Sequence, residues 1–99
     1  MTEKLNINQQ PIEDRPREKL IAHGAESLSK AELLAILIGS GSSRETAVEL
    51  MRRVLGDCHG SLTELSRMSL DALQGYRGMG PAKAVTVLAA CELGRRRAV

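Results

Sequence analysis

Three times this chain sets a serine three residues ahead of a glutamate: Ser29-Lys30-Ala31-Glu32, Ser42-Ser43-Arg44-Glu45 and Ser61-Leu62-Thr63-Glu64. In that spacing the serine hydroxyl accepts from a free amide of a first helical turn, and the glutamate carboxylate reaches back to the serine amide. Each such cap is worth roughly 1 kcal/mol. Repeated along one short chain, they make helix the consistent local choice and divide it into short segments.

The stretches between these signals fit that reading. Pro16 suits a first helical turn and Gly24 a helix end, so a short helix is expected from about Pro16 to His23. The first capped helix, about Ser29 to Ile38, is apolar on nearly every side through Leu33, Leu34, Ile36, Leu37 and Ile38, and belongs at the centre of its fold. The second, about Ser43 to Leu55, carries a stripe at Ala47, Val48, Met51, Val54 and Leu55, with Glu45, Glu49, Arg52 and Arg53 toward water; Gly56 stops it. Short helices follow over about Leu62 to Arg67 and Leu70 to Gln74. A last one runs from about Pro81 to Arg96, with Ala84, Val85, Leu88, Cys91 and Glu92 on one flank and Ala89 and Leu93 beside them. No run alternates as a strand would. The expected fold is all-α, a compact bundle of about five short helices over residues 15–99. A polar segment, residues 1–14, precedes it and is expected to be flexible.

Composition supports this class. The 99 residues suffice for one domain with a modest core. There is no Trp or Phe, and Tyr76 is the single Tyr, so the core must be aliphatic, which suits helix-on-helix packing. No stretch approaches the ~20 apolar residues of a membrane span, and no signal peptide is visible. Cys58 and Cys91 lie far apart and read as free thiols in a reducing cytoplasm. A cytoplasmic protein without membrane contact is expected. Net charge is only +2, but it is unevenly spread. Residues 1–66 hold eight Lys/Arg against ten Asp/Glu, whereas residues 67–99 hold six against two. A basic end points to polyanions, or to arginines complementing the dipole of the last helix.

The segment that carries chemistry is Ser69 to Ala90. A short helix with Leu70 and Leu73 leads into Gly75-Tyr76-Arg77-Gly78-Met79-Gly80, and Pro81-Ala82-Lys83-Ala84 opens the next helix. Gly78 and Gly80 can take positive φ and turn the backbone sharply. Met79 can pin the turn to the core, Pro81 fits the first helical position, and Ala84 lets the helices approach. The amides around Gly80, Ala82 and Lys83 are then left at a helix N-terminus, facing any phosphate oxygen, with the Lys83 ammonium assisting and Arg77 alongside. Such contacts read no base edge, so binding would be sequence-independent and salt-sensitive. The expected DNA-binding residues are Arg77, Gly78, Met79, Gly80, Ala82 and Lys83.

The pattern resembles the helix-hairpin-helix family of DNA-binding motifs at Leu70, Leu73, Gly78, Met79, Gly80 and Ala84. The bland alternative is a tight helix connection with no ligand. An earlier echo at Gly39-Ser40-Gly41 fits an internal duplication of the kind found in SAM-like folds, with Gly39, Gly41, Ser43 and Arg44 as a weaker second site. Ser40 replaces the apolar pin there, which favours a structural role for that copy.

Other chemistries fit poorly. Cys58, His59, Cys91 and His23 lack the spacing of zinc ligands, and Gly39 to Ser43 lacks the ending of a nucleotide loop. No serine sits in a nucleophile context. No metal, cofactor or catalytic residue is expected, so the fragment reads as no enzyme.

From Arg15 onward the chain resembles the N-terminal region of the RadC family (UPF0758) of bacterial proteins. The matching stretches are Arg15-Pro16-Arg17-Glu18-Lys19-Leu20, Gly24 to Ser29, Ala31 to Leu37, Gly78 to Ala84, and Glu92-Leu93-Gly94-Arg95-Arg96. The resemblance implies a link to DNA repair or DNA metabolism. It also implies a metalloprotease-like (MPN/JAMM) domain with a His-x-His and Asp zinc motif after this region. With only His23 and His59, this sequence has no such motif and is expected to be the N-terminal domain alone. The expected function is sequence-independent binding of the DNA backbone, duplex or junction. The alternative is a protein-interaction or regulatory module that positions the metalloprotease-like domain.

Overall fold

The computed structural model of the chain describes residues 15–98, so the expectation for residues 1–14 lies outside the described residues. Six α-helices follow one another: α1 (Pro16–His23), α2 (Lys30–Ile38), α3 (Ala47–Asp57), α4 (Leu62–Ser66), α5 (Leu70–Gln74) and α6 (Pro81–Ala98), with a single 3₁₀ turn at Ala25–Ser27 between α1 and α2. Among the described residues there is no strand, and the fold is all-α.

The helix starts show which local signals won. Ser29 caps α2 as expected: its hydroxyl accepts from the Glu32 amide at 3.1 Å, and Glu32 accepts from the Ser29 amide at 2.8 Å. The second box is displaced. α3 begins at Ala47 rather than near Ser43, because a competing box, Thr46-Ala47-Val48-Glu49, caps it. Thr46 Oγ1 accepts from the Glu49 amide at 3.1 Å, and Glu49 accepts from the Thr46 amide at 2.9 Å. The Ser42 hydroxyl still accepts from the Arg44 and Glu45 amides, at 3.1 and 3.2 Å, but it closes a turn outside any helix. The Glu45 carboxylate, which should have completed that box, is held by Arg53 at 2.7 and 3.0 Å. The third box is half formed. Ser61 accepts from the Glu64 amide at 3.1 Å, while the Glu64 carboxylate goes to His59 Nδ1 at 2.9 Å. Ser69 supplies a further cap, accepting from the Ala72 amide at 3.0 Å at the start of α5.

The core sits between α2 and α3 and is closed by the later helices. Ala31, Leu34, Ala35 and Ile38 of α2 meet Val48, Leu50, Met51, Val54 and Leu55 of α3. α4 and α5 each bring one wholly buried side chain, Leu65 and Leu73, and α6 brings Ala84 and Val87. Burying a Leu side chain contributes about 1.5–3 kcal/mol, so the five-residue α4 and α5 are held by their anchors more than by their own hydrogen bonds. α6 departs from the expected flank. Ala84 and Val87 are buried, Leu88 and Cys91 are half-buried, and Val85 and Leu93 stand exposed at 53% and 69%. α1 joins α2 through a Lys19–Glu32 ion pair of 3.1 Å; burial raises the Glu32 carboxyl, but the Ser29 amide and then Lys19 together hold its pKa below the ordinary value.

Candidate functional site

The fold brings the two Gly-x-Gly turns face to face. Gly78 takes φ +92°, and a Cβ there would lie 3.0 Å from the Gly41 carbonyl oxygen and 3.1 Å from Ser42 Cβ. Gly41 is boxed in from its other side, where a Cβ would overlap the backbone of Glu45 and Thr46. The echo between the turns extends to the backbone: the leading glycine of each, Gly39 at +79° and Gly78 at +92°, is in the positive-φ region. Gly80 could also use positive φ. It does not; it occupies the position before Pro81 with an ordinary φ, and a Cβ there would meet nothing within 4 Å. Met79 is 2% exposed, so it pins the turn as its place between the glycines implied. Ala84 is wholly buried under the turn, and of the two leucines of α5 only Leu73 is buried.

Lys83 ties the turns together. Its ammonium donates to the Ser40 carbonyl at 2.7 Å, to Ser40 Oγ at 3.0 Å and to the Gly78 carbonyl at 3.0 Å, with the Gly41 carbonyl at 3.4 Å. A Lys ammonium has three protons to give. Here all of them point back into the protein. Lys83 is thus oriented by the neighbouring turn, away from the role of an outward-facing cation.

Three features of the turn still face outward. The amides of Gly80, Ala82 and Lys83 have no backbone acceptor among the described residues; the first closed bond of α6 runs from the Ala84 amide to the Gly80 carbonyl at 3.0 Å. Each of α2 to α5 has a Ser or Thr hydroxyl over its first turn, whereas α6 has Gly80 there and no side chain to offer. The Arg77 guanidinium is exposed and has no ion-pair partner among the described residues. Arg44, on the facing turn, is exposed in the same way. Its amide, however, is taken by Ser42, and Ser42 donates its own amide to the Glu45 carbonyl at 2.9 Å. Ser43 and Arg44 were expected at a helix N-terminus; because Thr46 is the cap, they lie in a loop and present no row of helical amides.

Side chains not singled out from the sequence brace the turn from behind. Tyr76 Oη donates to Asp57 Oδ2 at 2.6 Å, and Arg53 stacks 5.2 Å over the Tyr76 ring while gripping Glu45. The hydrogen bond to Asp57 and partial burial push the Tyr76 phenol up to about 12. Arg53 thereby links the loop before α3 to the segment before Gly78. These contacts join residues 8 to 43 positions apart, a range at which the chain has no local signal.

Cys58 is buried, with its thiol donating to Met68 Sδ at 3.5 Å, and both it and Cys91 are free. Burial raises both thiols. Among the described residues no group of three or more His, Cys, Asp or Glu side chains gathers, and no helix is long and apolar enough to cross a membrane.

Residues 7–85 match the family model described as UPF0758 N-terminal. A UPF0758 protein of Porphyromonas gingivalis is 54% identical over 93 residues, covering 93% of this chain and 41% of its own. One from Flavobacterium johnsoniae is 53% identical over 85 residues, covering 86% and 37%. One from Syntrophomonas wolfei is 50% identical over 92 residues, covering 93% and 39%. The chain therefore spans about 40% of the length of these relatives. No solved structure matches it. On the family match and these identities, the chain belongs to the UPF0758 family and corresponds to its N-terminal region.

Proposed function

We propose that the turn between α5 and α6 is a non-catalytic, sequence-independent grip on the DNA phosphate backbone. The observation that carries the reading is the open start of α6: free amides at Gly80, Ala82 and Lys83, and a glycine where the other helices place a hydroxyl. An 18-residue helix puts about half a positive charge at that end. A phosphate oxygen satisfies amides that nothing among the described residues reaches. Gly80 has neither a strained φ nor a neighbour that demands glycine, so its missing side chain makes sense as clearance for a ligand. Arg77, and Arg44 across the junction of the turns, supply exposed charge, while Lys83 keeps the turn in shape.

With so few donors the isolated domain binds weakly. Neutralising about 2 to 4 phosphates gives a salt slope of about −2 to −4. Duplex or junction backbone suits the site better than single strands, since Tyr76 is committed to Asp57 and Arg53 and no aromatic platform is free for base stacking. The resemblance to helix-hairpin-helix motifs agrees with this, as does the link to DNA metabolism that the RadC resemblance implies.

The test is an amide titration of the labelled domain with a short duplex, at low and then physiological salt. Shifts centred on Arg77 to Ala84, reversed by salt and lost in Arg77→Glu, support the grip. If the amides stay unmoved at low salt, the reading is wrong for this domain. Additional shifts at Ser43 and Arg44 would make the facing turn part of the same site.

A further inference from the structure

A different face of the bundle is left apolar. Apart from Lys30 and Glu32 in its first turn, α2 is apolar on nearly every side, and a helix of that kind needs cover on more than one face. Its Leu34, Ala35 and Ile38 are buried, but Leu33 and Leu37 are 38% and 46% exposed. Leu62 of α4 is 45% exposed beside them. With Leu88 and Cys91 of α6, these leucines line an open groove of about 840 Å³. A lone exposed leucine is ordinary, whereas several lining one concavity mark an interaction surface. Of the cations on its rim, Lys30 donates to the Gly60 carbonyl at 2.6 Å and Arg95 pairs with Glu92 at 2.7 Å. Arg67 has no ion-pair partner among the described residues. The groove shares no residue with the turn that is read above as a phosphate grip, so the two stand or fall separately.

The relatives indicate what covers it. The stretch that matches this chain is 37–41% of their length, and the family model places it at the N-terminus, so more than half of each relative follows it. The last turns of α6, at Glu92, Gly94, Arg95 and Ala98, form one wall of the groove. In a longer protein, a chain leaving α6 does so at the groove's own edge. Its effective concentration there is on the order of millimolar, enough for a modest apolar surface to hold it. We propose that this groove seats the portion of a full-length UPF0758 protein that follows α6. That portion would lay an apolar face over Leu33, Leu37 and Leu62 and set a carboxylate against Arg67. The domain would then be a docked and oriented module rather than a bead on a linker.

The experiment compares amide exchange in this 99-residue chain with that in a chimera, in which the chain replaces the matched stretch of the Porphyromonas gingivalis relative. The expected result is slowing of about tenfold or more across Lys30–Ile38 and Leu62–Ser66 in the chimera, with α3 unchanged. Leu37→Asp or Leu62→Asp, at half-exposed positions outside the core, should abolish the slowing without lowering the melting temperature of the 99-residue chain. As a second measurement, the intact relative is compared with its own matched stretch, which removes any dependence on the chimera folding. Equal exchange of the aligned helices in both forms overturns the proposal. So does a dimer of the 99-residue chain that Leu37→Asp dissociates, which would give the groove to a second copy. Protection already present in the 99-residue chain and lost on deleting residues 1–14 would overturn it as well.

Discussion

Replacing Lys83 by methionine separates a structural role for this lysine from a ligand-binding one. Methionine keeps most of the apolar stem and removes the ammonium. The loss is three short hydrogen bonds, two to Ser40 and one to the Gly78 carbonyl, at 2.7 to 3.0 Å. Charge-assisted bonds are worth about 1.5–3 kcal/mol each when buried. The two to Ser40 are exposed and the one to Gly78 only part-buried, so solvent screening cuts these to about 0.5 and 1 kcal/mol respectively. The expected destabilisation is therefore about 2 kcal/mol. At about 4–8 °C per kcal/mol for a domain of this size, the melting temperature falls by about 8–16 °C. Urea titration should show a lower midpoint with an unchanged slope. Arg77→Glu is the control, since it touches none of these bonds and should leave both curves in place. A cycle with Ser40→Ala, which removes only the hydroxyl, should report a coupling of about 0.5 kcal/mol. If Lys83→Met melts within about 2 °C of the parent, Lys83 does not latch the turns. The assignment of outward charge to Arg77 and Arg44 would then lose its basis.

Other outcomes follow from single positions. Gly78→Ala forces a side chain to φ +92° and against the Gly41 carbonyl, and should cost about 1–3 kcal/mol in thermal melts. Gly80→Ala should cost less than about 1 kcal/mol, yet weaken duplex binding by crowding the open amides. Thr46→Ala should cost roughly 1 kcal/mol and perturb the Glu49 amide, while Ser42→Ala leaves the helical content of α3 unchanged. The Tyr76 phenol should titrate near 12, read by near-ultraviolet absorbance, and Asp57→Asn should bring it down. Because its folded pKa is raised above the ordinary value of 10.0, the stability it contributes is intact below pH 10 and lost as pH climbs through about 12. A midpoint near the ordinary value would mean that the Asp57 bond does not persist in solution.

Local chemistry in the sequence determined the helical class, most element boundaries, and the inward place of Met79 and Ala84. Ser29 with Glu32, Pro16 with Gly24, and Gly78 before Pro81 act within one turn of chain, where spacing alone sets which groups can meet. The start of α3 was legible too, but two boxes overlapped there; Thr46 is the cap, and the carboxylate of Glu45 pairs with Arg53 instead of closing the other box. That arginine lies eight residues away, beyond the reach of capping rules. The site residues show the same division. The open amides of α6 follow from Gly80-Pro81 in the sequence. The fate of Lys83 does not, because its acceptors at Ser40 and Gly41 sit more than forty residues upstream and reach it only when α2 and α3 have packed. Only the tertiary structure decided which apolar residues stay in water. Leu33 and Leu37 share their helix and chemistry with Leu34 and Ile38, yet stand 38% and 46% exposed while those two are buried. Helix periodicity says where a side chain points; what stands in front of it is settled by the packing of the other helices.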